Sequence, residues 1–292
     1  MLPEEIRQKV RLIEITTRKV LDSVLSGQYR SHFKGQGVQF SEHRLYVPGD
    51  DVRHINWNVS ARTREPLVKK FEEERQLSVF LVVDGSQSGH FGSVACLKSE
   101  VLAEVGAMIA YAATQAGDQV GALIFSGKVE KIIPPKKGRQ HVLRLVQDLL
   151  SFETQTQGTD LAGALDATGR IMKHAGIIFV MSDFLTQGYE KSLKKLARKH
   201  EVVALHIGDE REKEIPELGQ MLLVDPETQE ERWVDTSSYL FKKWVTEYHQ
   251  ALEAERQAAF KGGRVELLQI QTKDNYGEAV LRFFRARSRR KR

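Results

Sequence analysis

The chain has 292 residues, 41% of them apolar and 28% charged, a globular mixture that excludes disordered, collagenous and disulfide-scaffold classes. Its single cysteine, Cys96, rules out an internal disulfide and any multi-cysteine zinc or iron–sulfur site. The net charge of +5 is uneven: residues 1–77 carry 14 basic and 11 acidic side chains, 78–281 carry 23 and 28, and 282–292 carry seven basic and none acidic.

The opening, MLPEEIRQKVRLIEI, is charged throughout and lacks the apolar core of a signal peptide. No run approaches the roughly 18 uncharged apolar residues of a spanning helix. A reducing cytoplasm is the expected compartment. Ile6, Val10, Ile13, Thr17, Val20 and Val24 repeat at spacings of three and four, which predicts an amphipathic helix ending near Gly27. Aromatic, glycine, proline and charged residues then interleave over 28–77, which reads as short strands and turns, with Pro48-Gly49 as one turn.

From Leu77 the signals alternate between strand and helix, the pattern of a mostly parallel sheet covered by helices. SVFLVVD (78–84) is a continuous apolar strand of the kind buried on both faces. A helix over 98–115 follows, then strands QVGALIFS and KVEKIIP, and helices GRQHVLRLVQDLLSF and LAGALDATGRIMKHA. GIIFVMSD (176–183) is a second buried strand, followed by a helix over 189–199 and strand EVVALHI. QMLLVD and ERWVD, joined by PETQE, predict a hairpin. A long helix from SYLFKKW stops at Gly262-Gly263, and VELLQIQT and a short helix NYGEAVLRFF close the chain. The domain reading is 1–77 as a helix plus strand-rich subdomain, 78–287 as the α/β domain and 288–292 as a basic tail. Clustered arginine can hold anionic lipid or nucleic acid, but such charge runs read first as solvated termini.

Three hydroxyl-bearing or acidic loops fall where open α/β sheets place ligands. These are Asp84-Gly85-Ser86-Gln87-Ser88 after the first strand, Gly158-Thr159-Asp160 before a helix, and Ser182-Asp183 after the second buried strand. Oxygen donors of this kind suit a hard cation such as Mg²⁺ or Mn²⁺. The trio resembles the metal-ion-dependent adhesion site of von Willebrand factor A-type domains. That resemblance implies Asp84, Ser86, Ser88, Thr159 and Asp183 as metal ligands, and metal-dependent protein recognition as the activity. Two carboxylates only neutralise the cation, so a partner's Asp or Glu can complete its shell.

The preceding segment carries Tyr46-x-Pro48-Gly49-Asp50-Asp51-x-Arg53-x-Ile55-x-Trp57, then Ser60-Ala61-Arg62 and Val68-Lys69-x-Phe71-x-Glu73-Glu74. With VDPETQEERWVDT further on, this resembles the bacterial family called domain of unknown function 58, whose later part is similar to von Willebrand A domains. Asn56 and Gly89 depart from that pattern, where Asp and Met are expected. The resemblance implies no enzymatic activity and partnership with a MoxR-type AAA+ ATPase in chaperone-like maturation of other proteins. Asp50, Asp51, Arg53, Trp57 and Arg62 read either as a structural ion-pair cluster or as a partner-binding surface. The alternative is a Mg²⁺-dependent hydrolase of phosphate esters. Against it stand the lack of a G-x-x-x-x-G-K-[ST] motif, of a second metal cluster and of a base placed by motif. A weaker alternative is a nucleic-acid or anionic-membrane binder acting through the tail.

Overall fold

The computed structural model describes Arg11, Ile13 and residues 39–72, 78–93, 96–213, 215–228 and 230–290. Of the opening helix, only Arg11 and Ile13 are described, both helical, and Ile13 is buried in the main core. Ile6, Val10, Thr17, Val20, Val24 and Gly27 lie outside the described residues. β1 (Gln39–Leu45) and β2 (Leu67–Glu72) pair antiparallel. Pro48 and Gly49 form the turn expected there, with Gly49 at φ 111°.

Where strands and turns alone are expected, a helix also forms, α1 (Trp57–Thr63). It begins on the Asn56 carbonyl, which accepts from Val59 and Ser60 N–H groups, and ends at Arg64 in the left-handed conformation. Only Ser60 of its seven residues is buried, so no apolar stripe announces it in the sequence.

The α/β region comprises β3 (Ser78–Asp84), α2 (Lys98–Gln115), β4 (Gln119–Phe125), β5 (Val129–Lys136), α3 (Arg139–Leu150) and α4 (Leu161–Ile171). It continues with β6 (Ile177–Ser182), α5 (Glu190–Ala197), β7 (Glu201–Gly208) and the one-turn α6 (Glu210–Lys213), which the sequence reading passes over. The hairpin β8 (Gln220–Val224) and β9 (Glu231–Asp235), then α7 (Tyr239–Gly263), β10 (Glu266–Gln271) and α8 (Tyr276–Arg290) complete it. The six-stranded sheet has the order β10-β7-β6-β3-β4-β5. All neighbours run parallel except β4 and β5. β5 is an edge strand, which is why it can carry Pro134 and Pro135 without breaking a ladder.

Side chains alternate across this sheet. Val79, Leu81 and Val83 of β3 face one core, with Val105 and Ile109 of α2, Val142 and Leu145 of α3, and Val280 of α8. Phe80 and Val82 face the other, with Leu165 of α4, Leu193 of α5 and Phe260 of α7. Each fully buried side chain of this size contributes about 1.5–3 kcal/mol, so two helical layers clamp the central strands. Cys96 is partly buried against the first core.

Two helix ends differ from expectation. Gly262 and Gly263 lie inside the last turn of α7, and the chain leaves the helix at Arg264, φ 53°. There Val265 N–H reaches back to Phe260 O (3.0 Å), the closure that a left-handed residue permits. α8 runs on to Arg290, so the basic segment expected as a solvated tail is largely the last turns of a helix. Its apolar beginning is anchored by Ala279 and Val280, and alternating arginines with good helix propensity let the helix continue.

Candidate metal centre

In an open sheet with this strand order, ligands sit outside the carboxyl ends of the strands where the order reverses. Here that point lies between β3 and β6, and the three loops converge on it. Asp84 is the last residue of β3, and Gly85 N–H donates to Phe125 O (2.7 Å), which keeps the loop tied to β4 as it leaves the sheet. Asp84 Oδ1 accepts from Ser86 N–H (3.0 Å) and its Oδ2 accepts from the Ser182 hydroxyl (2.6 Å). Ser86 and Ser88 hydroxyls are 3.0 Å apart, and Ser88 also hydrogen-bonds Asp183. At Gly89, where the family pattern expects Met, an added Cβ would meet Ser99 Cβ at an ordinary 3.4 Å.

The second loop needs a glycine: Gly158 has φ 80°, a conformation that side chains rarely adopt. Thr159 follows it, and Asp160 caps α4 by accepting from Gly163 N–H (2.8 Å). The third loop is strained. Phe184, just after Asp183, is a non-glycine residue at φ 55°, which costs about 1 kcal/mol or more. Its ring is locked edge-on against Phe260 at a centroid distance of 5.1 Å. Thr186 Oγ1 donates to Thr159 O (3.3 Å), joining the second and third loops.

The electrostatics of the two aspartates diverge. Burial, and then the neighbouring Asp183 charge, pushes the Asp84 carboxyl up to about 6. Asp183 would also be raised by burial, but the Lys98 ammonium beside it holds it below the usual carboxylate range. Lys98, at the start of α2 and only 1% exposed, donates from Nζ to Asp183 Oδ2 (2.7 Å) and to Glu212 of α6. Asp84, Ser86, Ser88, Lys98 and Asp183 line one cavity of about 10 Å³, at the lower limit of what a single water fills.

A further carboxylate reaches the site from the β8–β9 hairpin. Glu227 Oε1 accepts from Ser88 N–H (3.2 Å) and from the Thr159 hydroxyl (3.3 Å). Its Oε2 is buried and has no hydrogen-bond partner.

The donors that meet here are hydroxyl and carboxylate oxygens, the ligands of hard divalent cations. An orphaned carboxylate oxygen and a raised aspartate are both relieved by positive charge, so the residues fit Mg²⁺ or Mn²⁺. Among the described residues, no group of three or more His, Cys, Asp and Glu side chains is gathered as a ready metal cage. A cation at this point would therefore lean on the serine and threonine hydroxyls. Lys98, Glu212 and Glu227 escape the sequence reading. The signal for Lys98 is a cation in the first turn of a helix, where the dipole disfavours it. For Glu227 it is the PETQE turn.

The Asp50–Arg62 cluster is arranged differently from a single ion-pair network. Asp50 pairs in two-pronged fashion with Arg44 (2.6 and 2.7 Å) and accepts from Val47 N–H. That pairing holds the Asp50 carboxyl below its usual range, through the Arg44 hydrogen bonds first. Asp51 caps a 3-10 turn (Val52–His54) by accepting from Arg53 N–H (2.9 Å). Among the described residues, Arg53 and Arg62 enter no ion pair, and Trp57 is 67% exposed.

This open sheet, with covering helices and three loops converging at its switch point, defines a von Willebrand factor A-like domain. The aerotolerance-related membrane protein of Bacteroides fragilis shares the fold at TM-score 0.51 and 16% identity, over 73% of this chain and 99% of that one. BatB of Bacteroides thetaiotaomicron does so at TM-score 0.50 and 16% identity, with the same coverage. The family described as "Protein of unknown function DUF58" matches residues 42–258, and this chain belongs to it. Uncharacterised protein Rv1480 of Mycobacterium tuberculosis is 32% identical over 283 residues, 96% of this chain and 89% of that protein. No helix among the described residues is long and apolar enough to cross a membrane.

Proposed function

We propose that this chain is a non-enzymatic protein-interaction module whose divalent cation, held by Asp84, Ser86, Ser88, Thr159 and Asp183, takes a carboxylate from a partner protein. The observation that carries the reading is the convergence of three loops at the sheet's switch point, with two buried aspartates, of which Asp183 pairs with Lys98. The bound cation would supply attraction for an incoming carboxylate. The chain's own residues position it: Gly158 shapes the second loop, Phe184 locks the third, and Ser182 orients Asp84.

The partner class is a MoxR-type AAA+ ATPase, as the family resemblance implies, with the two acting together in maturation of client proteins in the cytoplasm. The exposed Trp57 and the neighbouring Asp51, Arg53 and Arg62 supply a second contact surface on the smaller subdomain. Pull-down from lysate with and without EDTA, comparing wild type with Asp84→Ala and Asp183→Ala and identifying partners by mass spectrometry, tests this. An AAA+ ATPase captured only by wild type without EDTA is the expected result. The same partner set in all conditions would refute metal-dependent recognition.

A further inference from the structure

Glu227 of the β8–β9 hairpin lies 139 residues beyond Ser88 in the sequence, yet the hairpin tip enters the site. Hydrogen bonds tie the described residues of the tip: Asp225 Oδ1 accepts from Glu227 N–H (2.8 Å) and Thr228 N–H (3.2 Å), and Asp225 N–H donates to Glu230 O (2.9 Å). What projects from it is a carboxylate, the chemical group that the proposed function assigns to a partner. One of its oxygens is held by two of the residues expected around the cation, Ser88 and Thr159. The other oxygen, Oε2, is buried without a partner.

A buried carboxylate oxygen with no donor is costly unless a cation or donor satisfies it. The donors flanking it are already used on Oε1, and the Lys98 ammonium is engaged by Asp183 and Glu212. A hard cation among Asp84, Ser86, Ser88, Thr159 and Asp183 is the group that would complete Glu227.

We propose that Glu227 is an internal ligand of the metal centre, seated where a partner's carboxylate binds, so that the β8–β9 hairpin competes with the partner for the cation. The inference rests on the metal-site reading above and deepens it. A partner must then displace a tethered glutamate and not merely a water, and the hairpin sets which partners succeed. An incoming carboxylate gains the cation only if its protein also draws the hairpin tip aside, which makes affinity depend on contacts beyond the metal. Removing Glu227 leaves a coordination position for water or for any small carboxylate.

The probe is Mn²⁺ alone, followed by the electron paramagnetic resonance of the free ion for affinity and by water-proton relaxation for the waters on the bound ion. Wild type, Glu227→Ala, Glu227→Asp and Asp84→Ala are compared, with near-ultraviolet circular dichroism confirming that each is folded. Glu227→Ala is expected to bind Mn²⁺ about tenfold more weakly, since affinity follows ligand charge count, and to show higher relaxivity from an added water. Glu227→Asp, one methylene short on a turn held by Asp225, should behave like Glu227→Ala. Millimolar acetate should lower the relaxivity of Glu227→Ala by taking the freed position and leave wild type unchanged. Equal affinity and relaxivity in wild type and Glu227→Ala, with binding lost in Asp84→Ala, would overturn the role of Glu227 while leaving the metal site standing. Failure of wild type to bind Mn²⁺ would overturn both.

Discussion

Lys98 gives the sharpest test of the site's electrostatics, by the substitution Lys98→Met, which keeps a stem of similar length and removes only the charge. The ammonium lies 2.7 Å from Asp183 Oδ2, with side-chain exposures of 1% and 8%, and also contacts Glu212 at 18%. At an effective dielectric of about 20, the Lys98–Asp183 attraction alone is about 6 kcal/mol. Desolvation of the ammonium offsets most of it, so the pair as a whole adds little. Removing one partner is another matter, because Asp183 is left buried and uncompensated at about 3–5 kcal/mol. At about 2 °C per kcal/mol for a large domain, the metal-free variant should melt roughly 6–10 °C below wild type. A divalent cation beside Asp183 replaces the missing charge. Mn²⁺ at 100 times its Kd should therefore restore about 2.7 kcal/mol, and the variant should bind it more tightly than wild type, which keeps a like charge next to the ion. The assay is thermal unfolding by circular dichroism with EDTA or with graded Mn²⁺. A metal-free variant that melts with wild type, or a smaller Mn²⁺ shift in the variant than in wild type, would refute the reasoning.

Asp209, 1% exposed, accepts from Ser93 Oγ and Thr272 Oγ1 (2.5 Å each) and from Ser93 and Arg211 N–H groups. Burial would raise it, but these hydrogen bonds, those of Ser93 foremost, hold it at about 2 against an ordinary 3.8. A depressed carboxylate stabilises above its unfolded pKa, so about 2 kcal/mol should be lost on its account as pH falls from 4 towards 2; the stability of Asp209→Asn in urea unfolding should therefore fall less steeply than that of wild type across that window, by about that amount, and a profile parallel to wild type would contradict it. At the chain's end, Leu281 and Phe283 pack against the main core. Deleting 281–292 should therefore lower the melting temperature by several degrees, whereas deleting 286–292 should leave it within about one degree; equal melting of the two truncations would disprove the docking of α8.

Much of the α/β region was legible in the sequence because its strands are continuous apolar runs and its helices have clear apolar faces. β3 (Ser78–Asp84) and α2 (Lys98–Gln115) fall where periodicity alone put them, since a strand buried on both faces and a helix of 18 residues leave little else for such patterns to form. The three loops carrying Asp84, Thr159 and Asp183 could be located for the same reason, since strand ends dictate where loops emerge; which of their oxygens would hold a metal is what the resemblance to von Willebrand A domains implies. α1 and α6 were not legible, for they are too short to show a period, and after Gly263 the chain leaves α7 through Arg264, not a glycine, in the left-handed conformation. The sequence marks Lys98 only as a cation in a helix's first turn and Glu227 only as part of a turn, so what each does was decided by the tertiary structure. Neither has a sequence neighbour that explains it: Lys98 meets Asp183 across 85 residues and Glu227 meets Ser88 across 139. Only the closing of the sheet brings a buried cation and a tethered carboxylate to the same loops, and an interaction whose partner is that distant leaves no periodicity in the chain.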